Sequence, residues 1–107
     1  VPVRDQALAS FEPDEIAGLQ PLGDAGVPTS LAPGRKVPVQ FQNKNQLGIR
    51  LIPIDRSGAR GTPVPMKGAT RRLVETVAGQ VWLVVDEEDQ PLGYHPIGPR
   101  PATVIID

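Results

Sequence analysis

An all-β fold, specifically a small antiparallel β-sandwich, is what this sequence predicts, and three observations carry the prediction. Thirteen prolines and eleven glycines in 107 residues break any long helix and supply many turns. Most residues between those breaks are Val, Ile, Leu and Thr, which suit a pleated, half-buried surface. Several short segments alternate apolar with polar residues at the two-residue period of a strand.

Residues 35–107 carry that pattern and are expected to form the sandwich domain. Val37, Val39 and Phe41 alternate with Pro38, Gln40 and Gln42, a strand with one dry face, and Pro38 suits its beginning or an edge. Asn43-Lys44-Asn45-Gln46 is a turn, and Leu47 to Ile54 is a second strand. So short a polar link predicts that the two strands pair as a hairpin. Asp55 to Gly58 make the next turn. Residues 59–69 read as a proline-studded connection or irregular edge, and Thr70 to Thr76 as a further strand that bends at Ala78-Gly79. Gln80 to Val85 is the most apolar segment of the chain. Both its faces are apolar, which predicts a central strand with a sheet on one side and other cover on the reverse. Asp86 to Gln90 form a charged turn, Pro91 to Tyr94 return antiparallel, His95 to Pro101 are a loop, and Ala102 to Ile106 close the fold.

Residues 1–34 lack a sustained period and are expected to be an arm or linker, partly packed on the sandwich. Ser10 as a cap and Gly18 as a stop would allow one or two helical turns over 11–19. The turn formers of residues 20–34 favour instead an irregular arm anchored by Phe11, Ile16, Leu19 and Leu22.

Composition narrows the function classes. The chain has no cysteine, which removes disulfides, thiolate metal sites and a cysteine nucleophile. The longest apolar run, Val81 to Val85, is far too short for a membrane-spanning helix, so no membrane insertion is expected. The start has no signal-like apolar stretch. An exported chain whose signal had been removed would look the same, so a secreted or periplasmic location stays open. The net charge of −1 conceals segregation. Residues 1–34 hold one Arg and five acids, 35–72 nine Lys or Arg and one acid, and 73–107 one Arg and six acids. The middle region either builds a basic face or offsets its charge against neighbouring strands.

No constellation for chemistry stands out. His95 is the only histidine, whereas triads and metal sites need several converging groups. Asp86-Glu87-Glu88-Asp89 lack the glycine-ordered spacing of a calcium loop and read as a solvated turn. Ser57 precedes Gly58 without the glycine-flanked elbow of a hydrolase. Gly58, Gly61 and Gly68 are irregularly spaced, so no phosphate loop or cofactor is expected. Lys67, Arg71 and Arg72 read first as a solvated strand edge; they could instead contact phosphate or an acidic partner, whereas four aromatic residues give no stacking platform for nucleic acid.

The stretch 39–93 resembles the β domain of the von Hippel-Lindau tumour suppressor family, including its bacterial members. The resemblance rests on Val39-Gln40-Phe41-Gln42-Asn43, on Ile52-Pro53-Ile54-Asp55-Arg56-Ser57-Gly58, on Gly68, and most specifically on Thr76-Val77-Ala78-Gly79-Gln80-Val81-Trp82-Leu83-Val84-Val85-Asp86. It implies a small antiparallel β-sandwich. The tumour suppressor's own β domain takes a hydroxylated proline of an extended peptide between aromatic walls and histidine and serine groups. Here Thr76 retains a hydroxyl and Trp82 an aromatic wall. Leu51 stands near an expected tryptophan, Thr62 near the pocket tyrosine, and Gln80 and Glu75 near histidines, so the family's ligand does not carry over. The expectation is a noncatalytic protein- or peptide-binding module, an accessory domain of a larger protein, with Thr76, Gln80, Trp82, Arg71, Arg72 and Leu51 as candidate contacts. A purely structural domain or a hydrolytic domain is the alternative. Trp82 serves the core if it points inward and the groove if it lines the surface.

Overall fold

The computed structural model describes residues 15–22, 26, 28–30 and 34–106. They form eight strands: β1 (Glu15–Gly18), β2 (Lys36–Asn43), β3 (Ile49–Ile54), β4 (Val64–Met66), β5 (Arg71–Val77), β6 (Val81–Asp86), β7 (Pro91–Pro96) and β8 (Ala102–Ile106). One sheet has the order β1-β8-β2-β5 and the other β4-β3-β6-β7. Their inner faces supply one apolar cluster, built from Val37, Val39 and Phe41 of β2, Val104 and Ile106 of β8, and Ile49, Leu51, Trp82 and Val84 of the facing sheet. The chain is therefore a β-sandwich, as its alternating pattern predicts.

β6 lies between β3 and β7, the central position implied by its two apolar faces. Trp82 and Val84 enter the inter-sheet core. Val81, Leu83 and Val85 join Ile52 and Ile54 on the reverse face, where Leu22 and Tyr94 supply cover. Burying both faces takes water away from consecutive side chains, which explains why this segment shows no polar alternation.

Two expectations about pairing are corrected. β2 and β3 are not a hairpin: β2 pairs with β5 and β8, whereas β3 pairs with β4 and β6. The intervening turn carries the chain from one sheet to the other. Asn43 fixes that crossing, its Nδ2 donating to the carbonyls of Leu47 and Lys67 at 3.0 and 3.2 Å and its Oδ1 accepting from the Asn45 amide. The first sheet is also mixed, because β8 runs parallel to both β1 and β2 while β2 and β5 are antiparallel. The second sheet is antiparallel throughout.

Residues 15–18 are a strand and not helical turns, and Ile16 is 70% exposed, so it anchors nothing. Its position opposite Thr103 sends it to the outer face of the sheet. Leu19 and Leu22 do pack, one on each apolar cluster. Ser10 and Phe11 lie outside the described residues. A tie that no sequence pattern announces comes from Ser30. Its buried hydroxyl donates to the Ile54 carbonyl and accepts from the Val81 amide at 2.7 Å, bridging the end of β3 to the start of β6. His95 belongs to β7 and is buried, so the expected loop begins only after Pro96.

Candidate functional site

Five of the six candidate contacts lie on β5 or within six residues beyond it. The β5–β6 connection crosses from one sheet to the other through Ala78-Gly79, with Gly79 at φ 92°, a conformation that favours glycine. Ile97 clamps this turn: the Gly79 amide donates to its carbonyl and its amide donates to the Gln80 carbonyl, both at 2.8 Å. Thr76 of one sheet thereby faces Trp82 of the other.

The polar atoms there form a chain with a fixed direction. The Trp82 indole N–H donates to Thr76 Oγ1 at 3.1 Å, and the Thr76 hydroxyl donates to Gln80 Oε1 at 2.7 Å. Indole is a donor only, so Thr76 must accept from it and is left to donate its own proton. Gln80 presents its carbonyl oxygen to that proton, which turns the amide NH₂ away from Thr76. The Trp82 ring is 6% exposed and packs tilted on Phe41, with centroids 5.9 Å apart. Trp82 thus points inward and its one polar atom is satisfied internally. Gln80, half-buried, borders an open cavity of about 300 Å³ together with Lys36, Glu75, Thr76 and Val77.

Arg71 and Arg72 occupy the other end of β5 and are exposed. Arg71, Arg72, Lys67, Thr70, Pro65 and Met66 line a second cavity of about 300 Å³ between the edges of the two sheets. Arg71 also borders a third, wider one with Lys44, Thr70 and Gln42. Four cations consequently gather around Thr70, and among the described residues no acid lines either cavity. The only salt bridge among the described residues joins Arg60 to Asp89, at 3.0 Å, and involves none of these four cations. The middle region's positive charge is concentrated, in part, at one end of β5.

Between these two ends runs an edge that is unpaired among the described residues. The Asn43 amide donates to the Thr70 carbonyl and the Ala78 amide to the Arg35 carbonyl, each at 2.9 Å. Each bond joins the pair one step beyond an end of the β2–β5 register, which runs from Lys36 opposite Val77 to Gln42 opposite Arg71, and so continues its phase. An antiparallel ladder alternates bonded and non-bonded pairs, so Arg72, Val74 and Thr76 bond to β2. The amides and carbonyls of Arg71, Leu73 and Glu75 point the other way, where no described strand meets them.

Leu51 is corrected. It is fully buried in the inter-sheet cluster and lines no surface. Thr62, the other position set against the family's pocket, is exposed in the 59–63 connection and borders none of these cavities. Lys36, Lys44 and Thr70 belong to the site and carry no motif. Only the β2–β5 register, which sets Lys36 against Val77 and Gln42 against Arg71, brings the first two to β5.

His95 lies across from Trp82 on β7, and its Nδ1 has no hydrogen-bond partner among the described residues. Burial pushes its pKa below the ordinary histidine value, partly opposed by the Glu15 carboxylate. Its imidazole is therefore held neutral near neutral pH. The Ser57 hydroxyl is committed to Asp55 Oδ1 at 2.6 Å in an exposed turn, and this bond, with those from the Ala59 and Ser57 amides, holds the Asp55 carboxyl below its usual range. Asp86 Oδ1 accepts from the amides of Glu88 and Gln90, so this acid caps its own turn.

No family model matches the chain, and no curated protein matches it.

Proposed function

We propose that the chain is a noncatalytic protein- or peptide-binding module that takes an extended segment along the outer edge of β5. The observation carrying this reading is the edge itself. Three outward residues, Arg71, Leu73 and Glu75, offer backbone donors and acceptors, and a cavity stands at each end of the strand. Backbone pairing supplies affinity that does not depend on sequence, while side-chain sites at the ends supply selectivity. The cations at the Arg71 end select an acidic side chain in the incoming segment. The Gln80 amide and Lys36 ammonium beside Thr76 offer donors to a carbonyl or carboxylate at the other end.

A Leu73→Pro substitution tests this directly. It removes an outward amide and leaves every bond between β5 and β2 in place, since the Leu73 amide does not face β2. A library of extended heptapeptides displayed against the wild type should yield binders enriched in acidic residues. Those binders should lose affinity for Leu73→Pro, with the variant's cooperative unfolding retained. Failure to select any binder, or equal binding by the variant, refutes the reading.

A further inference from the structure

The β5 edge is complementary to itself, and we infer that a second copy of this chain occupies it, forming a two-fold dimer in which Leu73 pairs with Leu73 and Arg71 faces Glu75. This rests on the reading of the β5 edge as the binding surface and names its occupant.

Two conditions select the arrangement. A two-fold axis normal to the sheet brings two copies of one edge strand together antiparallel. Hydrogen-bonded pairs across that interface must then join outward residues, which are Arg71, Leu73 and Glu75 on each copy, the next one, Val77, having its carbonyl already taken by the Gln80 amide. The axis can accordingly pass through residue 71, 72, 73, 74 or 75. At 71 it sets Arg71 against Arg71, and at 72 it sets Arg72 against Arg72. At 75 it opposes Glu75 to Glu75, and like charges directly opposite destabilise a pair. At 74 it matches Leu73 with Glu75 and gains no ion pair. At 73 alone, Arg71 of each copy meets Glu75 of the other on the outer face, twice by symmetry. Arg72 then lies beside Val74, and the half-buried Leu73 side chains meet at the centre.

Charged residues on an edge strand ordinarily keep it from pairing at all. Here their order along Arg71-Arg72-Leu73-Val74-Glu75 penalises three registers and rewards one. The partner's carboxylate also supplies the acid that the cation-rich end of β5 lacks. The product is a continuous eight-stranded sheet, β1-β8-β2-β5 followed by the same four strands in reverse.

Charge exchange between two variants tests the register. Sedimentation equilibrium at low ionic strength, up to about 1 mM, covers the range where small transient interfaces associate. Wild type should approach twice its 11.4 kDa mass. Arg71→Glu and Glu75→Arg, each alone, should raise the dissociation constant about tenfold or more, because both opposed pairs become like-charged. An equimolar mixture of the two variants should regain dimer, since the two acids on the edge of the Arg71→Glu chain then face the two arginines at the same positions of the Glu75→Arg chain. Both positions are exposed, so folding is spared, and thermal unfolding of each variant verifies it. A wild type that stays monomeric overturns the dimer, as does a dimer indifferent to the charge reversals or a mixture that fails to recover. Binding of selected peptides to a monomeric wild type, lost in Leu73→Pro, would leave the edge reading standing while removing the dimer.

Discussion

Replacing Thr76 by Val deletes one oxygen from the chain Trp82–Thr76–Gln80 and strands a buried donor. Valine has nearly the same volume and suits a strand, so packing and propensity change little. The Trp82 indole N–H loses its acceptor inside a site where the ring is 6% exposed. An unpaired buried donor of this kind costs about 1–3 kcal/mol. The half-buried Gln80 carbonyl can turn to water, so its loss adds less. A total near 2 kcal/mol, with a urea slope of about 1 kcal/mol per molar for a domain of this size, lowers the unfolding midpoint by about 2 M. Thr76→Ser keeps the hydroxyl and should cost under about 1 kcal/mol. Far-ultraviolet circular dichroism follows unfolding in every variant, including those lacking Trp82. The decisive comparison is Thr76→Val in a Trp82→Phe background, where no donor remains to be stranded and the cost should fall below about 0.5 kcal/mol. Equal costs in the two backgrounds would refute the reasoning, because the penalty would then come from something other than the indole N–H.

Other positions give equally direct outcomes. Gly68→Ala should destabilise the domain by about 3 kcal/mol or more, since a Cβ there would stand 1.9 Å from the Gln46 carbonyl oxygen, a backbone atom that cannot step aside cheaply; a urea midpoint unchanged from wild type would contradict the close packing of these two turns. Ser30→Ala should cost about 1–3 kcal/mol, because the Val81 amide and Ile54 carbonyl both lose their partner, and limited proteolysis within residues 19–30 should quicken; an unaltered cleavage rate would show that the serine does not hold this segment. His95 is held below its ordinary pKa by burial, so the unfolded chain takes up a proton first as the pH falls. Its contribution to stability is full above about 6.5 and declines below that value towards the lower folded-state pKa. Between pH values of about 7.5 and 5.5 the wild type should therefore lose more thermal stability than His95→Gln, and equal losses would count against a buried neutral imidazole.

The strands were legible where one face is wet. Val37, Val39 and Phe41 announce β2 through the polar residues between them, and all three are buried. β6 was legible for the opposite reason, its unbroken apolar run matching two covered faces. Pairing was much less so. A short polar link such as Lys44 to Gln46 either turns within a sheet or crosses between sheets, and the choice depends on Asn43 meeting Leu47 and Lys67, the latter a contact between distant segments. The parallel placement of β8 between β1 and β2 is likewise non-local. At the site, Thr76, Gln80 and Trp82 are brought together by a turn visible as Ala78-Gly79. Leu51 misled because only its alignment with an expected tryptophan put it at a groove, whereas Ile49, Leu51, Ile52 and Ile54 are buried on both faces of β3 and leave that position no surface. The unpaired edge of β5 had no sequence signal at all, since it follows from register.

The outer edge of β5 is the claim on which binding depends, and amide hydrogen exchange reads it residue by residue. In dilute solution Arg72, Val74 and Thr76 should exchange slowly, while Arg71, Leu73 and Glu75 exchange fast. On addition of a selected peptide, or on raising the protein concentration into the dimer range, those three amides should slow together. Uniform slow exchange along β5 at high dilution would show the edge already occupied by the chain itself. A pattern with the opposite phase would show the strand reversed on β2, and either result would contradict the account.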